Sequence, residues 1–187
     1  MKTIIIAVKL MIVMTLVLGL LYTGAITTFG HLFFNNKANG SLLKKDGHVI
    51  GSSLLAQEFK SDRYFWPRPS AAKYETVPSG ASNLGPTSAD LKTEVEKRSQ
   101  RLSKRFSSHR IPQELLFASA SGLDPHISEN DALEQVNAVV AARRLNETDK
   151  LKIMSLIKKN TEIIGLGILG GPYVNVLELN VDLDKSF

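Results

Sequence analysis

The chain contains no cysteine among its 187 residues, and this absence excludes a whole group of sites. Without thiols the protein has no disulfide bond and no thiolate ligand for a metal ion. The four histidines, His31, His48, His109 and His126, lack metal-ligand spacing, and no His-Glu-x-x-His motif is present. The sequence therefore predicts no metal site.

Several other signatures of function are also missing. No Gly-x-x-x-x-Gly-Lys-Ser/Thr loop is present to cradle a nucleotide, and no Gly-x-Ser-x-Gly elbow is present to expose a nucleophilic serine. Residues 31–187 carry a formal charge of only +3, and the charges are mixed rather than clustered, which argues against a nucleic-acid-binding protein. The sequence therefore favours a protein without catalytic residues.

One candidate for catalysis remains in the sequence. Ser121, Asp124 and His126 together offer a hydroxyl, a carboxylate and an imidazole. Residues that are close in sequence make a catalytic triad only if they meet at hydrogen-bond distance with defined roles. A tight turn that orders the start of a helix explains the same residues, and we favour that interpretation over a serine hydrolase.

A long apolar run dominates the N-terminal part of the chain. Residues 10–30 contain no charged side chain, and as an α-helix these 21 residues would span about 31 Å, the thickness of a bilayer core. The hydrophobic segment of a cleaved signal peptide is shorter, about 7–15 residues. We predict a transmembrane anchor over residues 1–30, with a cytoplasmic N-terminus, and one extracytoplasmic domain over residues 31–187.

Small residues recur at every fourth position of this run, at Thr15, Gly19, Thr23 and Thr27. On a helix they form one stripe, which would let another transmembrane helix approach closely. A single span cannot form a pore, so any transport path must be carried by other subunits.

The rest of the sequence predicts a mixed α/β domain, and the fold class is therefore α+β. Asp46-Gly47 is typical of the turn of a β-hairpin, here over residues 41–50. The alternation of apolar residues in Pro172–Leu183 predicts a strand, and its slip at residues 176–177 indicates a β-bulge. Capping residues before apolar periodicity predict four helices: from Ser52 or Ser53 to Phe59, from Thr87 to Leu102, from Ser128 to Arg143, and from Asn146 to Lys159 with Leu151, Met154 and Ile157 facing inward.

Residues 63–90 are irregular yet rich in aromatic side chains. Four prolines each fix φ and remove an amide donor, which excludes a regular helix or a central strand. The only tryptophan of the chain, Trp66, lies here, so the segment is too aromatic for a disordered linker. Ordered irregular segments are often functional, and aromatic and arginine side chains dominate interface energies. We predict a partner-docking role for Tyr64, Phe65, Trp66, Arg68 and Asn83; the alternative is a structural loop whose aromatic side chains cap a core.

Five motifs follow the apolar run in a distinctive order. They are Gly51-Ser-x-Leu-Leu-x-Gln-x-Phe59, Tyr64-Phe-Trp-Pro-Arg-Pro-Ser-Ala71, Ser79-Gly-Ala-Ser-Asn-Leu-Gly-Pro-Thr87, Ala118-Ser-Ala-Ser-Gly-Leu-Asp-Pro-His-Ile-Ser128 and Val174-Asn-Val-Leu-Glu-Leu-Asn180. Together with the single span, this series resembles the C subunits of the Kdp potassium-transporting P-type ATPase family over nearly the whole chain.

The resemblance implies an accessory, non-catalytic subunit of a high-affinity potassium uptake complex in a bacterial inner membrane. In that family a channel-like subunit carries potassium and a P-type subunit hydrolyses ATP, so this chain is expected to bind neither directly. The chain agrees, because it lacks the Asp-Lys-Thr-Gly signature of phosphorylated pumps. The aromatic segment would then dock on the outer face of the potassium-carrying subunit.

The family is also described as assisting assembly or stability and as raising the ATP affinity of the pump. The resemblance suggests Gln135, within Leu133-Glu-Gln-Val136, as a position that meets nucleotide, which conflicts with a domain outside the cytoplasm. Two alternatives of other classes remain, a membrane-anchored extracytoplasmic serine hydrolase and a stand-alone envelope binding module.

Overall fold

The computed structural model describes residues 1–106, 111–163 and 170–187, and its backbone divides into two compact units, Met1–Ser52 and Ser53–Phe187. The first unit begins with one continuous helix, Lys2–Phe33, whose most apolar stretch has a mean hydropathy of 2.8. None of that stretch is buried within the protein, so its apolar side chains are free to face lipid. The structure thus contains a helix long and apolar enough to span a bilayer, as the sequence predicts.

This helix has three parts. An α-helix, α1, covers Lys2–Met14; a π-helical stretch covers Thr15–Tyr22; and a second α-helix, α2, covers Thr23–Phe33. A short helix, α3, follows at Asn35–Ala38. The helix is therefore wider in its middle than a regular α-helix. The four-residue repeat of small side chains did not predict this feature.

A β-hairpin completes the first unit. Strands β1, Leu42–Lys45, and β2, His48–Ser52, pair antiparallel. Asp46 and Gly47 have φ angles of 51° and 80°, as a type I′ turn requires at its two central positions. The predicted hairpin and its turn are therefore confirmed.

The second unit starts with irregular chain up to Ser88, and the short helix predicted before Phe59 is not formed. Its hydrogen bonds go to distant residues instead. The Ala56 amide donates to the carbonyl of Leu123 at 2.9 Å, and the carbonyl of Ser53 accepts from the side chain of Asn175 at 2.7 Å. Contacts with the rest of the domain thus override the local helical pattern.

The described part of the second unit contains four α-helices: α4, Ala89–Phe106; α5, Glu129–Arg143; α6, Glu147–Lys159; and α7, Val176–Ser186. The predicted caps of α5 and α6 are confirmed, because the side chains of Ser128 and Asn146 accept from the amides of Asp131 and Asp149. The cap of α4 lies one residue later than predicted. The Ser88 hydroxyl, not that of Thr87, accepts from the Leu91 amide at 3.3 Å.

The predicted C-terminal strand is wrong for most of its length. Strand β5 covers only Tyr173–Asn175, and the chain then turns into α7. The Asn175 side chain accepts from the amides of Leu177 and Glu178, so it caps the helix. The slip in alternation at residues 176–177 therefore marks a change from strand to helix and not a bulge.

A small antiparallel sheet lies among these helices. Its strands are β3, His126–Ser128; β5; and β4, Thr161–Glu162, with β5 in the centre. The sheet, helices α5 to α7 and Phe65 of the irregular segment enclose a core. Its fully buried members are Phe65, Ile127, Ala132, Val139, Ile153, Ile157, Val174, Val176, Leu179 and Leu183. On α6, Leu151 and Met154 are 66% and 40% exposed, so their predicted inward orientation is wrong, while that of Ile157 is confirmed.

Candidate docking site

The irregular segment crosses the domain along a path held by two buried amide side chains. We call residues 63–86 the aromatic loop. The backbone N–H and C=O of Phe65 bond to the two amide atoms of Asn180, each at 2.9 Å. The backbone N–H and C=O of Trp66 bond in the same way to Gln135, at 2.8 and 3.1 Å. Four backbone groups that a strand would satisfy in a sheet are thus satisfied by two side chains.

Two of the predicted site residues are buried in this arrangement. Phe65 and Gln135 both have 0% exposure. Phe65 packs into the core, and the Gln135 amide uses both of its polar atoms on Trp66. Neither side chain presents surface to a partner or a nucleotide in this conformation, and a nucleotide contact at Gln135 would require these hydrogen bonds to break.

Tyr64 is held by two further residues of α5 and α7. Its hydroxyl lies 3.1 Å from a carboxylate oxygen of Asp184, whose other oxygen accepts from Arg143 at 2.7 Å. The Arg143 guanidinium also donates to the carbonyl of Arg63 at 2.7 Å and lies 5.1 Å from the centre of the Tyr64 ring. The arginine side chain is only 4% exposed, so this ion pair is largely shielded from water.

Trp66 lies against two arginines that are one turn apart on α4. The guanidinium of Arg105 is 4.1 Å from the ring centre and that of Arg101 is 5.1 Å away, both within cation–π range. Arg105 also donates to the Tyr64 carbonyl at 2.7 Å and pairs with Asp62 at 3.1 Å. Burial lowers the pKa of Arg105 to about 10, so its guanidinium is still charged at neutral pH. The ring of Trp66 and the two guanidinium groups therefore form a fixed aromatic–cation stack.

Arg68 joins the loop to the turn before β3. Its guanidinium lies 3.5 Å from Asp124, and the other oxygen of that carboxylate accepts from the backbone and ring nitrogens of His126 at 3.0 and 3.2 Å. The hydrogen bond from the His126 ring is the largest influence that holds the pKa of Asp124 below its ordinary value. The turn is thus a charged junction between loop and sheet.

The same turn contains the three residues of the serine hydrolase hypothesis. Asp124 and His126 do meet, but the hydroxyl of Ser121 accepts from the Leu123 amide at 3.1 Å. Among the described residues, no hydrogen bond joins His126 to a serine hydroxyl. Two members of the proposed triad are therefore together, and the nucleophile is not placed with them.

The second half of the loop packs on the turn that follows residue 118. Gly122 has a φ of 71°, and a Cβ added there would lie 2.8 Å from the carbonyl oxygen of Gly80. Any side chain would therefore push the two backbones apart. Asn83, which follows, is exposed, with a φ of 55°, so its side chain is available at the surface.

A concave surface lies between the aromatic loop and α4, and we call it the loop–α4 cleft. Its volume is about 220 Å³. Leu102 and Leu115 lie at its base, and Trp66 and Tyr74 contribute aromatic walls. The Tyr74 hydroxyl donates to the carbonyl of Arg68 at 2.9 Å, and burial raises its pKa to about 12. It is therefore neutral at physiological pH.

The predicted packing stripe of the first unit has its own local hydrogen bonds. The hydroxyl of Thr15 donates to the carbonyl of Met11 at 2.8 Å, and that of Thr23 donates to the carbonyl of Gly19. Two of the threonine hydroxyls are thus satisfied within the helix. Helix packing through Thr15, Gly19, Thr23 and Thr27 stays a prediction.

The chain is similar to known proteins over nearly all of its length. A family model described as K+-transporting ATPase, c chain (KdpC) matches residues 4–185. The chain belongs to the KdpC family. The resemblance read from the five motifs is therefore confirmed, and the KdpC match covers the N-terminal helix, the aromatic loop and α7 alike.

Individual KdpC proteins are similar to this chain over nearly their full length. The potassium-transporting ATPase KdpC subunit of Leptospira interrogans is 42% identical over 183 residues, which is 97% of this chain and 93% of the relative. Those of Koribacter versatilis and Bradyrhizobium diazoefficiens are each 41% identical and cover 99% and 96% of this chain and 95% of their own lengths.

Sequence reasoning missed the residues that hold the loop. Arg105, Arg143 and Asp184 lie in none of the five motifs. Asn180 ends one of them but was given no role, and Gln135 was singled out for another role. One signal could have found the amides. Gln135 interrupts the apolar stripe of α5 between Ala132, Val136 and Val139, and a polar residue in such a stripe must find a buried partner.

Proposed function

We propose that this chain is an accessory, non-catalytic subunit of a potassium-transporting ATPase complex, and that it assists the assembly or stability of that complex. Family membership over residues 4–185 carries this proposal. The sequence supports it, because it contains neither a phosphate-binding loop nor the Asp-Lys-Thr-Gly signature, so potassium and ATP would be handled by other subunits. A bacterial inner membrane is the proposed location.

The proposed partners are the channel-like subunit and the ATP-hydrolysing subunit of the same complex, with the aromatic loop as the docking surface. Tyr64, Trp66, Arg68 and Asn83 supply the contacts. Phe65 contributes through its position, because its side chain has no exposed surface. The loop is anchored by Asn180, Gln135 and Arg143 before any partner binds, and such pre-organisation lowers the entropy that binding must remove.

Any effect on the ATP affinity of the pump subunit would then be indirect. A domain outside the cytoplasm does not meet ATP, and Gln135 already bonds to Trp66. We propose that the chain favours a pump conformation from outside the membrane rather than binding nucleotide itself.

Docking can be tested by co-purification of the complex through a tagged full-length chain. Wild-type chain is expected to recover the other subunits from solubilised membranes. Trp66→Ala and Arg68→Ala should each lower that recovery about tenfold, because aromatic and arginine contacts dominate interface energies. Lys152→Ala, on the exposed side of α6, is the matched control and should leave it unchanged.

Melting temperatures of the variants separate loss of docking from loss of folding. Unchanged recovery for both loop variants, together with unchanged growth on limiting potassium, would remove the aromatic loop from the interface. Failure of the wild-type chain to recover any partner would contradict the accessory role and favour a stand-alone binding module.

Orientation can be tested with single cysteines, because the natural chain has none. Glu75→Cys, on the exposed part of the aromatic loop, should react with a membrane-impermeant maleimide in intact spheroplasts. Thr3→Cys, ahead of the apolar run, should react only after the membrane is permeabilised. The reverse labelling pattern would place the domain in the cytoplasm and contradict the proposed topology.

A further inference from the structure

The loop–α4 cleft is a concavity of the second unit that the docking contacts proposed above only partly use. Its base is apolar and its walls are aromatic, as in a site built to receive part of another molecule. Its volume of about 220 Å³ is below the roughly 300–1,000 Å³ of typical small-molecule sites. It therefore fits a side chain and its neighbour better than a whole nucleotide.

The rim of the cleft is predominantly cationic. Lys73, Arg98 and Arg101 lie on it, against the single carboxylate of Glu58. Arg98 is occupied, because it donates to the carbonyl of Leu116 at 2.9 Å and lies 3.7 Å from Glu94. Among the described residues, no carboxylate lies within 4 Å of the amino group of Lys73 or the guanidinium of Arg101. In the part of the chain that the structure describes, two cations at the mouth of the cleft are thus without an acidic partner.

The guanidinium of Arg101 is stacked on an aromatic ring, and the backbone that carries Lys73 is fixed by hydrogen bonds. Trp66 stacks under Arg101 at 5.1 Å. Lys73 lies in a tight turn with a φ of 54°, and the hydroxyl of Ser70 accepts from the amides of Ala72 and Tyr74 on either side of it. A charge presented by a fixed backbone loses less entropy on binding than one at the end of a free surface chain.

We propose that the loop–α4 cleft receives an acidic side chain from an exposed segment of another subunit of the complex. The carboxylate would lie between Lys73 and Arg101, and the stem of that residue or its neighbour would pack on Trp66 and Leu102. Glu58 would accept a backbone N–H of the same segment. This inference rests on the proposed function and names the chemistry of the partner at its docking surface.

A peptide carboxylate fits this mixed rim better than a lipid phosphate. A segment of protein carries both an anionic side chain and N–H donors, so it can use the cations and Glu58 together. A phosphate group offers only acceptors, and Glu58 would repel it. The carboxylate of a docked residue would be shielded by the cleft walls, where its attraction to the two cations is stronger than in open water.

Charge reversal in the whole complex tests the inference. The double variant Lys73→Glu with Arg101→Glu is expected to lower recovery of the other subunits at least tenfold, and Lys73→Arg with Arg101→Lys should retain most of it. The matched control, Lys92→Glu with Lys104→Glu, reverses two exposed charges on α4 outside the cleft and should leave recovery unchanged. Melting temperatures confirm that each chain is folded.

A photo-crosslinker at position 73 of the full chain identifies the occupant directly. We expect a crosslink to a peptide of another subunit that contains Asp or Glu beside the attachment point. A crosslink to lipid, or equal losses from the cleft and control reversals, would overturn the inference. If the wild-type chain recovers its partners while the cleft reversal has no effect, only this inference fails; if the wild-type chain recovers none, the proposed function fails first.

Discussion

Replacing Asn180 with leucine, or Gln135 with methionine, is expected to lower the free energy of unfolding by roughly 2–6 kcal/mol for each variant. Each substitution keeps the size of the side chain but leaves a buried backbone N–H and C=O of the aromatic loop without a partner. An unsatisfied buried polar group costs about 1–3 kcal/mol, and each variant creates two.

The measurement is urea unfolding of the full chain in detergent, followed by the fluorescence of Trp66, which is the only tryptophan. Its backbone bonds to Gln135 and its ring stacks on Arg105, so its emission reports directly on the loop. Asn137→Leu is the matched control, because Asn137 is exposed on α5, two positions from Gln135. The control should change stability by less than about 0.5 kcal/mol.

This experiment also separates the two roles considered for Gln135. If the amide is structural, Gln135→Met lowers stability, and the pump loses ATP affinity only as far as the complex is lost. A Gln135→Met chain that unfolds like the wild type but lowers the ATP affinity of an intact complex would contradict the structural role and support a nucleotide contact.

Phe65→Ala is expected to destabilise the domain by about 3–5 kcal/mol. The ring is completely buried in the core formed by the sheet and helices α5 to α7, and its removal leaves a cavity in addition to the lost apolar burial. The same urea experiment measures the loss. Phe117→Ala is the control, because Phe117 is 45% exposed and removing it opens no closed cavity.

The result distinguishes a core residue from a contact residue. Partner recovery with Phe65→Ala should fall only in proportion to the fraction of chain that is unfolded. A variant that keeps the wild-type melting temperature but recovers no partner would show that the Phe65 ring faces the partner, and the packing described above would then be wrong for the assembled complex.

The elements that sequence predicted well are those with local causes. The β-hairpin follows from Asp46-Gly47, and helices α5 and α6 follow from caps that act within three residues, Ser128 and Asn146. The apolar run predicts the N-terminal helix because length and composition are enough for that conclusion.

The two main errors have different causes. The segment from Ser53 to Phe59 is not helical, because Ala56 bonds to Leu123 and Asn175 bonds to Ser53. The last element is mostly helix, because Asn175 caps it, and the apolar residues of α7 satisfy a helical period as well as an alternating one. The partners of the first segment lie outside any local window of sequence. The cap of α7 acts within three residues, so the second error came from the ambiguous apolar pattern and not from a distant contact.

The sequence predicted where the candidate docking site lies but not which of its residues are exposed. The aromatic loop stood out by its composition, since prolines and aromatics exclude regular structure and indicate an ordered segment. Composition does not distinguish the exposed residues of the loop from the buried ones. Phe65 and Trp66 are neighbours in sequence, yet one is fully buried and the other lies against Arg101 and Arg105.

The sequence by itself determined an N-terminal helix long and apolar enough to span a membrane, the family and the position of the loop, because hydropathy, motif order and proline content are properties of the linear chain. Only the tertiary structure decided which loop residues are core, which amides hold it, and that cationic side chains meet at one cleft. Those outcomes depend on residues far apart in the sequence, such as Phe65 and Asn180, which are 115 positions apart and which only folding brings within hydrogen-bond distance.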